Sequence, residues 1–173
     1  MKKFLLALSL LLLCSCVHRE DYYVFSFDDY SITPGYDDVS FLDIAFDLDV
    51  PDSLEGNEKL KSVNMTFFGK YFGDVDLYNP TNKAIDIKDG KLSRLVLYFS
   101  QLTDHTFKID GVDLEKSIKK NCEIFNGEYI VRNGYACAIG KKVNGKDNVI
   151  ILYGDIYAMD QDELNHLEIY AEE

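Results

Sequence analysis

The sequence predicts a β-rich α+β domain, mostly antiparallel sheets with one short helix. Three observations predict it. Apolar and polar residues alternate with a period of two through most of the chain, as in strands that bury one face. Five Asx-Gly steps (Asp89-Gly90, Asp110-Gly111, Asn126-Gly127, Asn133-Gly134 and Asn144-Gly145) punctuate these runs. Asn, Asp and Gly tolerate the positive φ of type I′ hairpin turns. The aromatic residues are 12 Tyr and 11 Phe with no Trp, a composition that suits strands.

The elements follow in order. Tyr23, Phe25 and Phe27 share one face of a strand that starts at Tyr22. Leu42, Ile44, Phe46, Leu48 and Val50 share one face of the next, and Asp43, Ala45, Asp47 and Asp49 share the other. Further strands are expected at 63–68, 71–78, 91–99, 128–132, 135–143, 148–158 and 166–172. Thr33-Pro34-Gly35-Tyr36 and Asn79-Pro80-Thr81-Asn82 read as turns. The close spacing of the last three Asx-Gly steps suggests a β-meander. One helix is expected, with Asp113 as N-cap and an end near Asn121. Leu114, Ile118 and Cys122 share its apolar face, and Lys116, Lys119 and Lys120 cover the outside. Asp160-Gln161-Asp162-Glu163 resembles a capping box that opens a second, shorter turn of helix.

Three segment pairs recur in the same order. Tyr30-Ser31-Ile32-Thr33-Pro34-Gly35-Tyr36 parallels Tyr129-Ile130-Val131-Arg132-Asn133-Gly134-Tyr135. Phe72-Gly73-Asp74-Val75 parallels Tyr153-Gly154-Asp155-Ile156. Leu92-Ser93-Arg94-Leu95-Val96-Leu97-Tyr98 parallels Leu164-Asn165-His166-Leu167-Glu168-Ile169-Tyr170. Two readings fit: two related β halves, 22–103 and 111–173, or convergence of strand patterns.

The N-terminus carries an address. Lys2 and Lys3 precede an apolar run at 4–13, interrupted only by Ser9. Ten residues make roughly 15 Å of helix, and a spanning helix needs about 20 residues. The run therefore reads as an export signal. Leu13-Cys14-Ser15-Cys16 resembles a bacterial lipobox. Cleavage before Cys14 would place bulky Leu13 where a small residue is expected; cleavage before Cys16 places Ser15 there. The expected organisation is a signal peptide at 1–15, lipidated Cys16 with a short tether to 21, and a globular domain at 22–173. The alternative is an ordinary signal peptide cut elsewhere. The resemblance to lipoproteins implies two acyl chains on Cys16, enough for stable anchoring in the lipid bilayer. His18 and Arg19 fall in the tether, as headgroup contacts or as a solvated linker.

The mature chain has the length of one ordinary domain or two very small ones. This is too short for a two-lobed solute-binding lipoprotein. Without Lys2 and Lys3, the 18 basic residues become 16 against 30 acidic ones, a net charge of −14. Such a surface repels nucleic acid and anionic lipid. Apolar residues at 47% argue against disorder. The absence of Trp weakens a carbohydrate-stacking reading.

Cys122 and Cys137 are the two cysteines expected in the folded domain. Outside the cytoplasm they form either a disulfide or a pair of buried thiols. A bridge would stabilise by roughly 3 kcal/mol. Asp43, Asp47 and Asp49, with Asp37 and Asp38 before them, offer oxygen ligands for Ca²⁺ or form the wet face of a strand. Asp160, Asp162 and Glu163 form a second acidic cluster. His105 and His166 are the candidate bases. Tyr22, Tyr23, Tyr71, Phe72 and Tyr78 line a groove or sit half-buried on strands. No nucleophile elbow, zinc-protease helix, Cys-x-x-Cys pair or Gly-rich phosphate loop is present.

The lipobox, the run Leu77-Tyr78-Asn79-Pro80-Thr81-Asn82-Lys83 and the helix with meander at 112–172 together resemble small lipoproteins of low-GC Gram-positive bacteria. The last part also resembles helix-plus-antiparallel-sheet repeat domains of envelope-assembly lipoproteins and of a secreted enzyme inhibitor. The resemblance implies a fold type and a place on the extracytoplasmic membrane face. It transfers no functional residues. The expected role is binding to an envelope protein or another extracytoplasmic ligand, with a Ca²⁺- or small-ligand module and an envelope hydrolase as alternatives.

Overall fold

The structure is a computed structural model and describes residues 18–28, 30–38, 47–48, 51–67, 70–99, 106–131, 134–157 and 159–172. The signal segment, Cys16, Asp43, Asp49 and His105 lie outside these residues.

The chain is β-rich, with antiparallel sheets and, among the described residues, one α-helix. In order it forms β1 (Phe25–Phe27), β2 (Tyr30–Ile32), β3 (Asp47–Leu48), β4 (Ser53–Leu54), β5 (Lys59–Phe67), β6 (Lys70–Tyr78), β7 (Ile85–Asp86), β8 (Lys91–Tyr98), β9 (Phe107–Ile109) and β10 (Val112–Asp113). The helix α1 (Ile118–Phe125) follows, then β11 (Glu128–Val131), β12 (Tyr135–Val143), β13 (Lys146–Gly154) and β14 (Leu164–Ala171).

Eight strands form one sheet in the order β11-β12-β13-β14-β8-β6-β5-β3. This order is two meanders joined at the β14–β8 seam, where Leu167 faces Leu97 and Ile169 faces Leu95. The inner face carries Val75, Leu77, Leu95, Leu97, Cys137, Ile139, Ile150, Leu152, Leu167 and Ile169, all buried in one cluster. Over it lies a four-stranded sheet, β10-β9-β1-β2, contributing Phe25, Phe27, Ile32 and Ile109. Each fully buried Leu or Ile contributes about 1.5–3 kcal/mol.

Buried amides fasten the layers. Asn148 on β13 accepts from the Tyr23 N–H at 2.8 Å and donates to the Tyr170 carbonyl at 3.0 Å, tying the small sheet to the large one. Asn79 organises the turn after β6: its Nδ2 reaches the Leu54, Glu55 and Lys83 carbonyls, and its Oδ1 accepts from Thr81.

The helix differs from the expected one. Asp113 lies in β10, and the N-cap is Ser117, whose Oγ accepts from the Lys120 N–H. The stretch before it is held extended by longer-range bonds. Leu114 N–H donates to the Phe107 carbonyl, and Asn121, fully buried, pairs its amide with both the N–H and the C=O of Glu115. Propensity alone could not reveal these partners. The Asp160 segment is likewise a turn and not a helix; the Asp162 N–H donates to Asp160 Oδ1 at 3.1 Å. Residues 19–21 form a 3₁₀ turn, with Arg19 paired to Asp37 at 2.9 Å.

The Asx-Gly steps separate by role. Asn144-Gly145 (φ 51° and 81°) closes the β12–β13 hairpin and Asp110-Gly111 (φ 50° and 79°) the β9–β10 hairpin. Asn126 is instead the left-handed C-cap of α1, and Gly90 follows a 3₁₀ turn with φ −64°. Of the recurring segments, residues 92–98 and 164–170 occupy equivalent strands beside the seam, with Val96 facing Glu168 on the pseudo-two-fold. The other two pairs fall at non-equivalent places. Tyr30–Ile32 is in the small sheet while Tyr129 is on β11, and Gly73 is inside β6 while Gly154 ends β13.

Gly73 lies in close contact with β8. A Cβ there would collide with the Val96 carbonyl oxygen, whereas at Gly140 the nearest atom is 3.7 Å away. Gly73→Ala is expected to destabilise by about 1–3 kcal/mol and Gly140→Ala by less than about 0.5 kcal/mol, as measured by urea unfolding.

Candidate functional site

The candidate site is the outer face of the large sheet, opposite the core. Alternation puts Asp74 and Asp76 (β6), Arg94, Val96 and Tyr98 (β8), His166, Glu168 and Tyr170 (β14) and Val149, Ile151 and Tyr153 (β13) there. Register arranges them in rows across the strands: Asp76–Arg94–Tyr170–Val149, Asp74–Val96–Glu168–Ile151, and Tyr98–His166–Tyr153. The rows run on to small residues on β12, Gly140, Ala138 and Ala136. Tall side chains over the seam thus stand beside a low floor.

Arg94 anchors the polar part. Its guanidinium bonds Glu168 at 3.0 Å, lies 3.8 Å from Asp76 and sits 5.5 Å from the centre of the Tyr170 ring. The Tyr170 hydroxyl donates to Glu168. Asp76 also accepts the Ser62 N–H at 2.8 Å, where Ser62 (φ 54°) forms a bulge in β5. One guanidinium between two carboxylates leaves the group formally net negative, and its bonds brace the face. Next to it a cleft of about 400 Å³ is lined by Lys59, Lys61, Asp76, Arg94, Tyr170 and Glu172, with charges of both signs.

The aromatic part is a row of rings. His166 stacks on Tyr153 at 4.5 Å and lies 5.2 Å from Tyr98. Its Nδ1 is 2.9 Å from Asn165 Oδ1, which makes Nδ1 the donor and leaves Nε2 as the acceptor in the neutral ring. Burial among the rings holds His166 below the ordinary imidazole value of 6.5; Glu168 opposes that shift and Arg94 reinforces it. Burial, then the Glu168 charge, pushes the Tyr153 phenol up. Both directions favour the uncharged forms of His166 and Tyr153, so the row presents flat polarizable surfaces.

The other sequence candidates lie elsewhere. Cys122 on α1 and Cys137 on β12 are joined by a disulfide with Cα atoms 5.5 Å apart, fixing the helix to the sheet on the core side. Asp47 lies in β3, its backbone paired with Thr66. Asp162 caps α1: it accepts from Ser117 Oγ at 2.5 Å and from the Lys119 N–H at 3.0 Å. Among the described residues no group of three His, Cys, Asp or Glu is placed to hold a metal ion. Tyr22 packs on Tyr36, Tyr23 is buried beneath Lys141, and Tyr78 ends β6, so these three do not form one groove. His166, one of the two candidate bases in the sequence, stands in this row; Tyr98 and Tyr153 carry no separate signal in the sequence, and only strand order brings the three together.

Comparison of the chain with protein-family models, with curated proteins and with solved structures finds no match.

The lowered His166 pKa has a sign. Below pH 6.5 the unfolded chain takes up a proton that folded His166 resists, so stability falls with pH until the folded ring also titrates. His166→Phe keeps the stacking and is expected to flatten this part of the profile. Unfolding free energies between pH 7.5 and 5 check it; an unchanged slope contradicts it.

Proposed function

We propose that this chain is an extracytoplasmic lipoprotein, anchored to a bacterial membrane through Cys16, which serves as a binding module of the cell envelope. The outer face of the large sheet is its recognition surface. The observation that carries the reading is the row of contacting rings, Tyr98–His166–Tyr153, braced by Arg94, Glu168 and Tyr170 and bordered by the low floor of β12. Amphipathic rings held in place lose little entropy on binding and suit protein recognition.

The lipobox supports the anchor. The fold is tied down from Arg19 onward through the Asp37 pair. Only Val17 and His18 lie between Cys16 and that fixed point, so the domain rests at the bilayer surface. With a net charge of −14 on the mature chain, the acyl chains and not a basic patch hold it there.

In-cell crosslinking with detergent extraction and mass spectrometry tests this reading on three chains: the parent, Cys16→Ser and Tyr153→Arg. The expected result is one dominant envelope protein captured by the parent, lost in Tyr153→Arg, with Cys16→Ser released to the medium. Capture that Tyr153→Arg leaves unchanged, or no captured partner, contradicts the outer face as the binding surface. Retention of Cys16→Ser in the membrane contradicts the anchor.

A further inference from the structure

Two β-bulges face each other across β6. In β5, Lys61 and Ser62 together oppose Asp76. In β8, Ser93 is the extra residue between Arg94, opposite Asp76, and Leu92, opposite Leu77. A bulge bends its strand and re-aims the side chains beside it. The cleft of about 400 Å³ next to Arg94 opens at this point. Its size lies within the roughly 300–1,000 Å³ of small-ligand sites.

The lining is unlike the chain as a whole. Across the chain 30 acidic residues outnumber 18 basic ones, yet here Lys59, Lys61 and Arg94 meet only Asp76 and Glu172. On the two middle strands Arg94 and Asp76 stand 3.8 Å apart and offset one another. Both are also held in place, Arg94 by Glu168 and Asp76 by the Ser62 N–H. The remaining charges are segregated by strand. Lys59 and Lys61 are on β5, and Glu172 directly follows β14. The Lys61 ammonium is exposed and has no ion-pair or hydrogen-bond partner among the described residues. Glu172 gives one carboxylate oxygen to the Asp147 N–H at 2.9 Å, which fixes the side chain and leaves its charge in place.

Strand order sets the distance between the two sides. β14, β8, β6 and β5 are consecutive in the sheet. The basic and acidic sides are therefore three strand spacings apart, about 14 Å between backbones. Side chains lining the cleft from both sides shorten that gap. A free amino acid carries both its charges on one Cα and meets one side alone. Three residues of extended chain span about 10 Å, with a carboxylate at one end and an ammonium at the other.

We propose that this cleft binds a short peptide of about three residues with free ends, its carboxylate against Lys61 and Lys59 and its ammonium against Glu172. The site lies beside the row of rings and recognises a small ligand by its two ends, whatever protein the rings bind.

Isothermal titration calorimetry of the full chain in detergent micelles, with trialanine as the probe, tests the proposal. No envelope protein is present in the cell, so the result does not depend on capture of a partner by the outer face. Trialanine is expected to bind saturably in the millimolar range or tighter. Amidating its carboxylate or acetylating its amine is expected to weaken binding by at least about tenfold, as loss of a hydrogen bond to a charged group does. Lys61→Ala is expected to weaken trialanine and to leave the amidated peptide unchanged, because that peptide has already lost the group Lys61 meets. Glu172→Gln, which keeps an acceptor for the Asp147 N–H, is expected to weaken trialanine and to leave the acetylated peptide unchanged. No saturable binding of trialanine, equal binding of free and blocked peptides, or trialanine binding that Lys61→Ala leaves intact overturns the proposal.

Discussion

The pairing of β8 with β14 makes one large sheet out of two small ones. Each strand closes a meander, and each would otherwise be an open edge with a core face half covered. Joined, they set Leu95 against Ile169 and Leu97 against Leu167 inside, and Arg94 against Glu168 and Tyr170 outside. The register is specified from both faces. A slip of one residue would turn every side chain to the other face, burying Arg94 and Glu168 and exposing four core residues. The ladder thus fixes the core and the candidate recognition surface together. The His166–Tyr153 and His166–Tyr98 contacts exist because β8, β14 and β13 are consecutive in the sheet.

Buried polar groups do the remaining positioning. Asn148 seats the small sheet, Asn79 closes the loop after β6, and Asn121 holds the strand-like approach to α1. Each buried amide has its bonds, and leaving one unmet would cost about 1–3 kcal/mol. Asp162 brings the β13–β14 loop to the start of α1, and the Cys122–Cys137 bridge pins the same helix to β12. Helix, β12 and loop are thereby tied to one another.

Much of the fold was legible because alternation is a local property. Val75 and Leu77, Leu95 and Leu97, Ile150 and Leu152, and Leu167 and Ile169 are all core pairs two residues apart. Local chemistry was ambiguous where one dipeptide serves several turns. Asn-Gly closes a hairpin at 144–145 and caps a helix at 126–127, and only the structure before it decides which. The helix starts later than its local signals suggest because 113–117 are held extended by bonds beyond the reach of one helical turn, from Phe107 and Asn121, and by the remote Asp162. The candidate site was the least legible part. Tyr98, Tyr153 and His166 belong to three strands, and period-two reading gives the face of each but not which strands are neighbours.

The central claim is that the β8–β14 seam holds both meanders in one cooperative unit. Native-state hydrogen exchange resolved by residue tests it most directly. The account predicts that the amides of β8 and β14 that bond across the seam, around Leu95, Leu97, Leu167 and Ile169, are among the slowest in the chain and exchange only by global unfolding. It predicts the same opening free energy for the protected amides of β6 and β13. Exchange of β8 while β12 and β13 stay protected would mean that the meanders unfold separately, and would contradict the account.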